Sequence, residues 1–99
     1  MASKQYIING KKVELFTIGA LASELGRENQ TIRLWEKQGK IPEATYRTET
    51  GQRLYSKGQI EAITQTVKNY NLKQGVKIPD EFVDDVFYRF KRATEELEN

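Results

Sequence analysis

Thr31-Ile32-Arg33-Leu34-Trp35-Glu36-Lys37-Gln38-Gly39-Lys40-Ile41-Pro42 is the stretch whose reading decides the fold. At about 100° per residue, Ile32 and Trp35 share the apolar side of a helix, with Leu34 a further apolar candidate, while Gln30, Thr31, Arg33 and Lys37 take polar faces. Asn29 is the candidate N-cap, and the helix reads to about Gln38. Gly39 is its stop, and Ile41-Pro42 forbids continuation. Upstream, Thr17 opens another helix with a hydroxyl available to cap the first turn. Ile18, Leu21, Ala22 and Leu25 form its apolar face, and Gly26 ends it. Two short helices separated by a turn of three or four residues beginning with Gly fit a helix-turn-helix, although any pair of antiparallel helices gives the same signal.

Downstream, Tyr46-Arg47-Thr48-Glu49-Thr50-Gly51-Gln52-Arg53-Leu54-Tyr55 reads as a short hairpin with Gly51 at the tight turn. Ser56 and Gln59 have capping-box spacing, so a third helix begins at about Lys57, with Ile60, Ile63 and Val67 as its stripe. The span from Lys68 to Lys77 reads as a loop or a frayed helix end. From Pro79 or Asp80 a last helix carries Phe82, Val83, Val86, Phe87, Phe90, Ala93 and Leu97 on a wide stripe. Its early Asp80, Glu81, Asp84 and Asp85 suit the positive end of the helix dipole. At the other end of the chain, Asn9-Gly10 separates two β-prone runs and predicts a hairpin with strands at about 5–8 and 11–16, expected to cap the domain. The fold class is therefore mostly α with small β-hairpins: hairpin, helix, helix, hairpin, helix, helix. Residues 1–16 read as an N-terminal extension, 17–70 as a winged helix-turn-helix domain and 79–99 as a C-terminal helix for packing or self-association.

Composition removes whole classes of function. The 99 residues contain neither Cys nor His, which excludes disulfides, the usual zinc ligands and Cys- or His-based nucleophilic catalysis. No Asp/Glu pair stands in a recognisable acid/base context, so no catalytic residue, cofactor site or metal site is assigned and the chain reads as a non-enzyme. With 37% hydrophobic and 30% charged residues the chain is too apolar for disorder and too polar for a membrane protein. Without a spanning run or a signal-peptide core, it is expected to be cytoplasmic and nucleoid-associated. The net charge of +2 is unevenly spread: residues 1–60 carry ten Lys/Arg against six Asp/Glu, and residues 61–99 carry six against eight. A basic front half before an acidic tail is where a phosphate backbone would dock.

Phe16 to Ala22, Gly26, the Thr31–Pro42 stretch and Arg47 to Ser56, in this order and spacing, resemble the DNA-binding domain of the mercury-resistance regulator (MerR) family. The resemblance covers roughly residues 16–66. It implies that the second helix enters the major groove of duplex DNA and that the wing contacts the flanking backbone. Matched residue by residue, Arg33 is a recognition-helix contact with Thr31 beside it, Arg53 is the wing arginine with Arg47 on the preceding strand, and Tyr55 closes the wing by packing. Leu34 and Gln52 stand where many members have aromatic residues, and Glu28 stands where a small capping residue is usual. About thirty residues follow the third helix, a trimmed form without an effector region that looks like phage excisionases and small terminase DNA-binding domains.

The candidate DNA-binding residues are Gln30, Thr31, Arg33, Lys37, Arg47, Arg53 and Lys57. Arg33 is exposed by periodicity and suits bidentate contact with guanine or phosphate. Gln30 and Thr31, at a helix start, are placed to reach base edges or phosphates, capping being the alternative. Arg47 and Arg53 flank a hairpin tip and point to phosphate or the minor groove. Lys37 and Lys57 are phosphate candidates whose alternative is an ordinary solvated face. Trp35, by its spacing with Ile32, belongs to the core and not to base stacking. Phe82, Phe87 and Phe90 serve the core or a homo-oligomer contact through the C-terminal helix. Three functions fit: a phage or plasmid regulator or excisionase-like architectural factor; the DNA-recognition subunit of a packaging or other DNA-processing enzyme complex; or a winged domain used only for protein contact.

Overall fold

The computed structural model describes residues 3–98. Strands β1 (Ser3–Ile8) and β2 (Lys11–Thr17) pair antiparallel around Asn9-Gly10, whose φ angles of 51° and 79° are the positive values a two-residue hairpin turn demands. Helices α1 (Ile18–Leu25) and α2 (Asn29–Lys37) follow, then strands β3 (Tyr46–Arg47) and β4 (Arg53–Ser56), then helices α3 (Lys57–Asn69) and α4 (Asp80–Glu98). The N-terminal hairpin does not stand apart from the wing. Strand β2 pairs with β4 through Leu15–Ser56, Phe16–Tyr55 and Thr17–Leu54, giving one antiparallel sheet of order β1-β2-β4-β3. A helix-turn-helix followed by a β3–β4 hairpin packed beside it is a winged helix-turn-helix.

One core runs through all the helices. Leu21 of α1, Ile32 and Trp35 of α2, Tyr55 of β4, Ile60 and Ile63 of α3, and Phe82, Val86 and Phe90 of α4 are buried together. Tyr70 meets Phe82 edge to face at 5.7 Å, closing the α3–α4 corner. The expected capping box at α3 is present, with Gln59 N–H donating to Ser56 Oγ and Ser56 N–H donating to Gln59 Oε1. Gln59 does more than cap. Fully buried, its Nε2 donates to Thr45 Oγ1 at 3.1 Å and Thr94 Oγ1 at 2.8 Å, tying the loop before the wing to α4.

Four local expectations are corrected. Thr17 makes no side-chain cap; it is held as the last rung of β2 opposite Leu54, so sheet pairing sets where α1 begins. Asn29 is the first helical residue and not the N-cap, because Glu28 has the extended backbone and its carbonyl accepts from Thr31 and Ile32. Leu34 is 50% exposed, lying about 200° from Ile32 around the helix. Phe87 is 40% exposed, since the buried stripe of α4 runs Phe82, Val86, Phe90 at strict four-residue steps.

Candidate nucleic-acid interface

Helix α2 is anchored from behind, which leaves its front free. Ile32 and Trp35 fill the core. The Arg27 guanidinium lies 5.0 Å from the Trp35 ring centroid and donates to the Leu72 carbonyl at 3.0 Å, pinning the α1–α2 turn onto the α3–α4 loop. Gln30, Arg33 and Lys37, spaced by three and four, form one exposed face. Thr31, half-buried, sits beside it.

The wing tip is a tight, self-bonded turn. Thr48 N–H donates to the Gln52 carbonyl, Gly51 N–H to the Thr48 carbonyl, and Gln52 N–H to Thr48 Oγ1. Gly51 has φ 87°, a value that a side chain would disfavour. Arg47 Nη1 braces the turn by donating to the Gly51 carbonyl at 3.1 Å. Between this tip and α2 lies an open groove lined by Arg33 and Asn29 on α2, Thr50, Gln52 and Arg53 on the wing, and Gly19 in the first turn of α1. The structure thus brings Arg33 and Arg53 to one groove, with Gln30 and Lys37 on the same helix face as Arg33. Lys57 goes elsewhere: it lines a separate groove with Ser3, Glu14, Glu24 and Glu61.

Arg53 is not a free cation. Its Nε donates to both carboxylate oxygens of Glu36 at 3.1 Å and its Nη2 to Oε1 at 2.9 Å. Arg47 Nη2 stands 3.7 Å from the same Oε1, and Ala44 N–H donates to Oε2 at 3.1 Å. Burial pushes the Glu36 carboxyl up, but the hydrogen bonds from Arg53 and Ala44 and the charges of Arg53 and Arg47 outweigh it and hold the group below its ordinary value. Glu36 is the site residue that sequence reasoning passed over. The available signal was the single acid of α2, three residues after Arg33. Nearby, Tyr55 is fully buried and its hydroxyl has no hydrogen-bond partner among the described residues; burial pushes its pKa up to about 12.

Comparison with known proteins places this geometry in context. The profile of the MerR HTH family of regulatory proteins matches residues 16–78. The mercuric resistance operon regulatory protein of Bacillus cereus is 44% identical over 48 residues, covering 48% of this chain and 36% of that protein. The chain therefore spans little more than a third of the length of that curated relative. No solved structure matches the chain significantly.

Proposed function

The chain belongs to the MerR HTH family of regulatory proteins, and from that premise we propose that it reads duplex DNA with α2 in the major groove and the wing on the adjoining backbone. The observation that carries this reading is the groove between Arg33 and the Thr50–Gln52 wing tip, open to solvent and flanked by the exposed Gln30–Arg33–Lys37 face. Major-groove base edges distinguish all four pairs, and Arg and Gln are suited to read them. Gln30 and Arg33 therefore take the bases. Thr31, Lys37 and the exposed Arg47 take phosphates, which position the protein without reading sequence. Arg53 serves as the tie between wing and helix, its guanidinium already spent on Glu36.

The role we assign is transcription regulation, the role stated in the name of the Bacillus cereus relative. The metal in that name is not carried over, because these 99 residues have neither Cys nor His and offer no soft-metal ligand set. The test is fluorescence anisotropy on selected and random duplexes across a salt series. Affinity should fall steeply with salt as Lys/Arg–phosphate contacts release counterions. Arg33→Ala should cost ~1–3 kcal/mol on the selected site and flatten discrimination. Binding that stays flat from low to physiological salt sinks the reading and leaves a winged domain used for protein contact. Strong bending of the duplex would move the role toward an excisionase-like architectural factor, and co-purification with an ATPase toward a packaging subunit.

A further inference from the structure

By charge alone Glu36 is misplaced. It stands between Arg33 and Lys37 on the helix that faces phosphates, where a free carboxylate would repel DNA. Its side chain is only 8% exposed, and both oxygens are engaged. The groups they engage come from three places: Arg53 on β4, Arg47 on β3, and Ala44 in the connection between α2 and β3. Both strands of the wing, and the chain leading into it, therefore converge on one carboxylate of the recognition helix.

The wing needs such an anchor. Strand β3 has two residues and pairs with β4 only through Tyr46–Leu54 and Arg47–Arg53. Strand β4 is held in the sheet by β2, but β3 at the sheet edge has only these two pairs, and so short a ladder holds the β3 side and the tip weakly by itself. A bidentate guanidinium–carboxylate pair has directional geometry as well as energy, which an apolar contact lacks. Among the described residues, the Glu36 contacts are the hydrogen bonds and ion pairs that join α2 to β3 and β4.

We propose that Glu36 is a positioning residue that sets DNA specificity: it fixes the angle and spacing between the recognition helix and the wing, so that both engage a single register on the duplex. The proposal rests on the DNA-reading function above. It also divides the two wing arginines. Arg53, 22% exposed at its side chain, neutralises Glu36 and locks the wing; Arg47, 41% exposed, keeps a face toward solvent for the backbone.

The experiment compares the wild type, Glu36→Gln, an Arg47→Gln/Arg53→Gln variant and the triple variant, in two measurements. The first is the ratio of affinities for a selected and a random duplex, at a temperature where every variant is folded. Glu36→Gln should lower that ratio about tenfold, the scale of a coupled side-chain pair, while affinity for the random duplex holds or rises because Arg53 and Arg47 lose the carboxylate that neutralises them. In the background lacking both arginines, Glu36→Gln should change the ratio no further. The second measurement, without DNA, is amide hydrogen exchange. Glu36→Gln should speed exchange at Ala44, Thr48 and Gly51 about tenfold and leave the α3 amides unchanged. Affinity lost equally on both duplexes, or an unchanged ratio with unchanged wing exchange, overturns the proposal. A wild-type chain that binds no duplex overturns the DNA-reading function instead, and the exchange measurement then decides by itself whether Glu36 holds the wing.

Discussion

Replacing Arg53 with Ala separates two roles that give opposite signatures. Seen as a phosphate contact, Arg53 would leave folding untouched when removed and would lower the salt slope of DNA binding by about one. The structure puts its guanidinium on Glu36 instead, through three hydrogen bonds of 2.9–3.1 Å. Losing one partner of a fully buried ion pair costs about 3–5 kcal/mol, because the remaining charge stays desolvated; an exposed pair is worth about 0–1 kcal/mol. Here the carboxylate is 8% exposed and the guanidinium 22%, which places the pair nearer the buried limit. Arg47, 3.7 Å away, and the Ala44 amide remain to hold part of the charge. The expected loss is therefore about 2–3 kcal/mol. For a domain of this size each kcal/mol moves the melting midpoint by about 4–8 °C, so the midpoint should drop by roughly 10–20 °C. Thermal melts followed by circular dichroism give the stability, and anisotropy on the folded protein gives the salt slope. An unchanged midpoint together with a slope reduced by one would refute the pairing and return Arg53 to the phosphates.

Three further outcomes follow from neighbouring groups. Tyr55→Phe removes a buried hydroxyl without a partner among the described residues; the unfolding free energy from urea titration should stay level or rise by about 1 kcal/mol, and a loss of that size would reveal a hidden partner. Gln59→Ala removes the reciprocal cap and the link to Thr45 and Thr94, for an expected cost of about 2–3 kcal/mol against about 1 for Ser56→Ala; equal losses in the two variants would show that the buried link contributes nothing. The Glu36 carboxyl is held below its ordinary value of 4.5 in the folded chain, so its contribution is fully present above that value and is lost as pH falls through the lowered one. The stability gap between wild type and Glu36→Gln, read from urea midpoints between neutral and acid pH, should be widest near neutrality and close in acid; a constant gap would contradict the ion pair.

The elements and their order were legible in the chain because their signals are local. Asn9-Gly10 accepts positive φ at both positions, the side chains of Ser56 and Gln59 each accept from the other's backbone N–H across one turn, and Ile32 with Trp35 marks a buried side by periodicity alone. The exposed Gln30–Arg33–Lys37 face follows from the same period. The local errors share a cause as well. Thr17 and Asn29 have good capping side chains, but the start of α1 is set by β2 pairing with β4, and that of α2 by the Glu28 backbone, neither of which a propensity records.

What the sequence by itself determined is thus the list of elements, the core side of each helix and the exposed Gln30–Arg33–Lys37 face. Only the tertiary structure decided how these are joined. The pairing of β2 with β4 makes two hairpins one sheet; Arg27 reaches Leu72 across 45 residues, Gln59 reaches Thr94 across 35, and Glu36 reaches Arg53 across 17. The physical reason is that a charged residue on a helix has the same sequence signature whether it meets water, a phosphate or a partner from a distant strand. Periodicity reports which way a side chain points, and the meeting of Glu36 with Arg53 depends on chain segments that only packing brings within 3 Å.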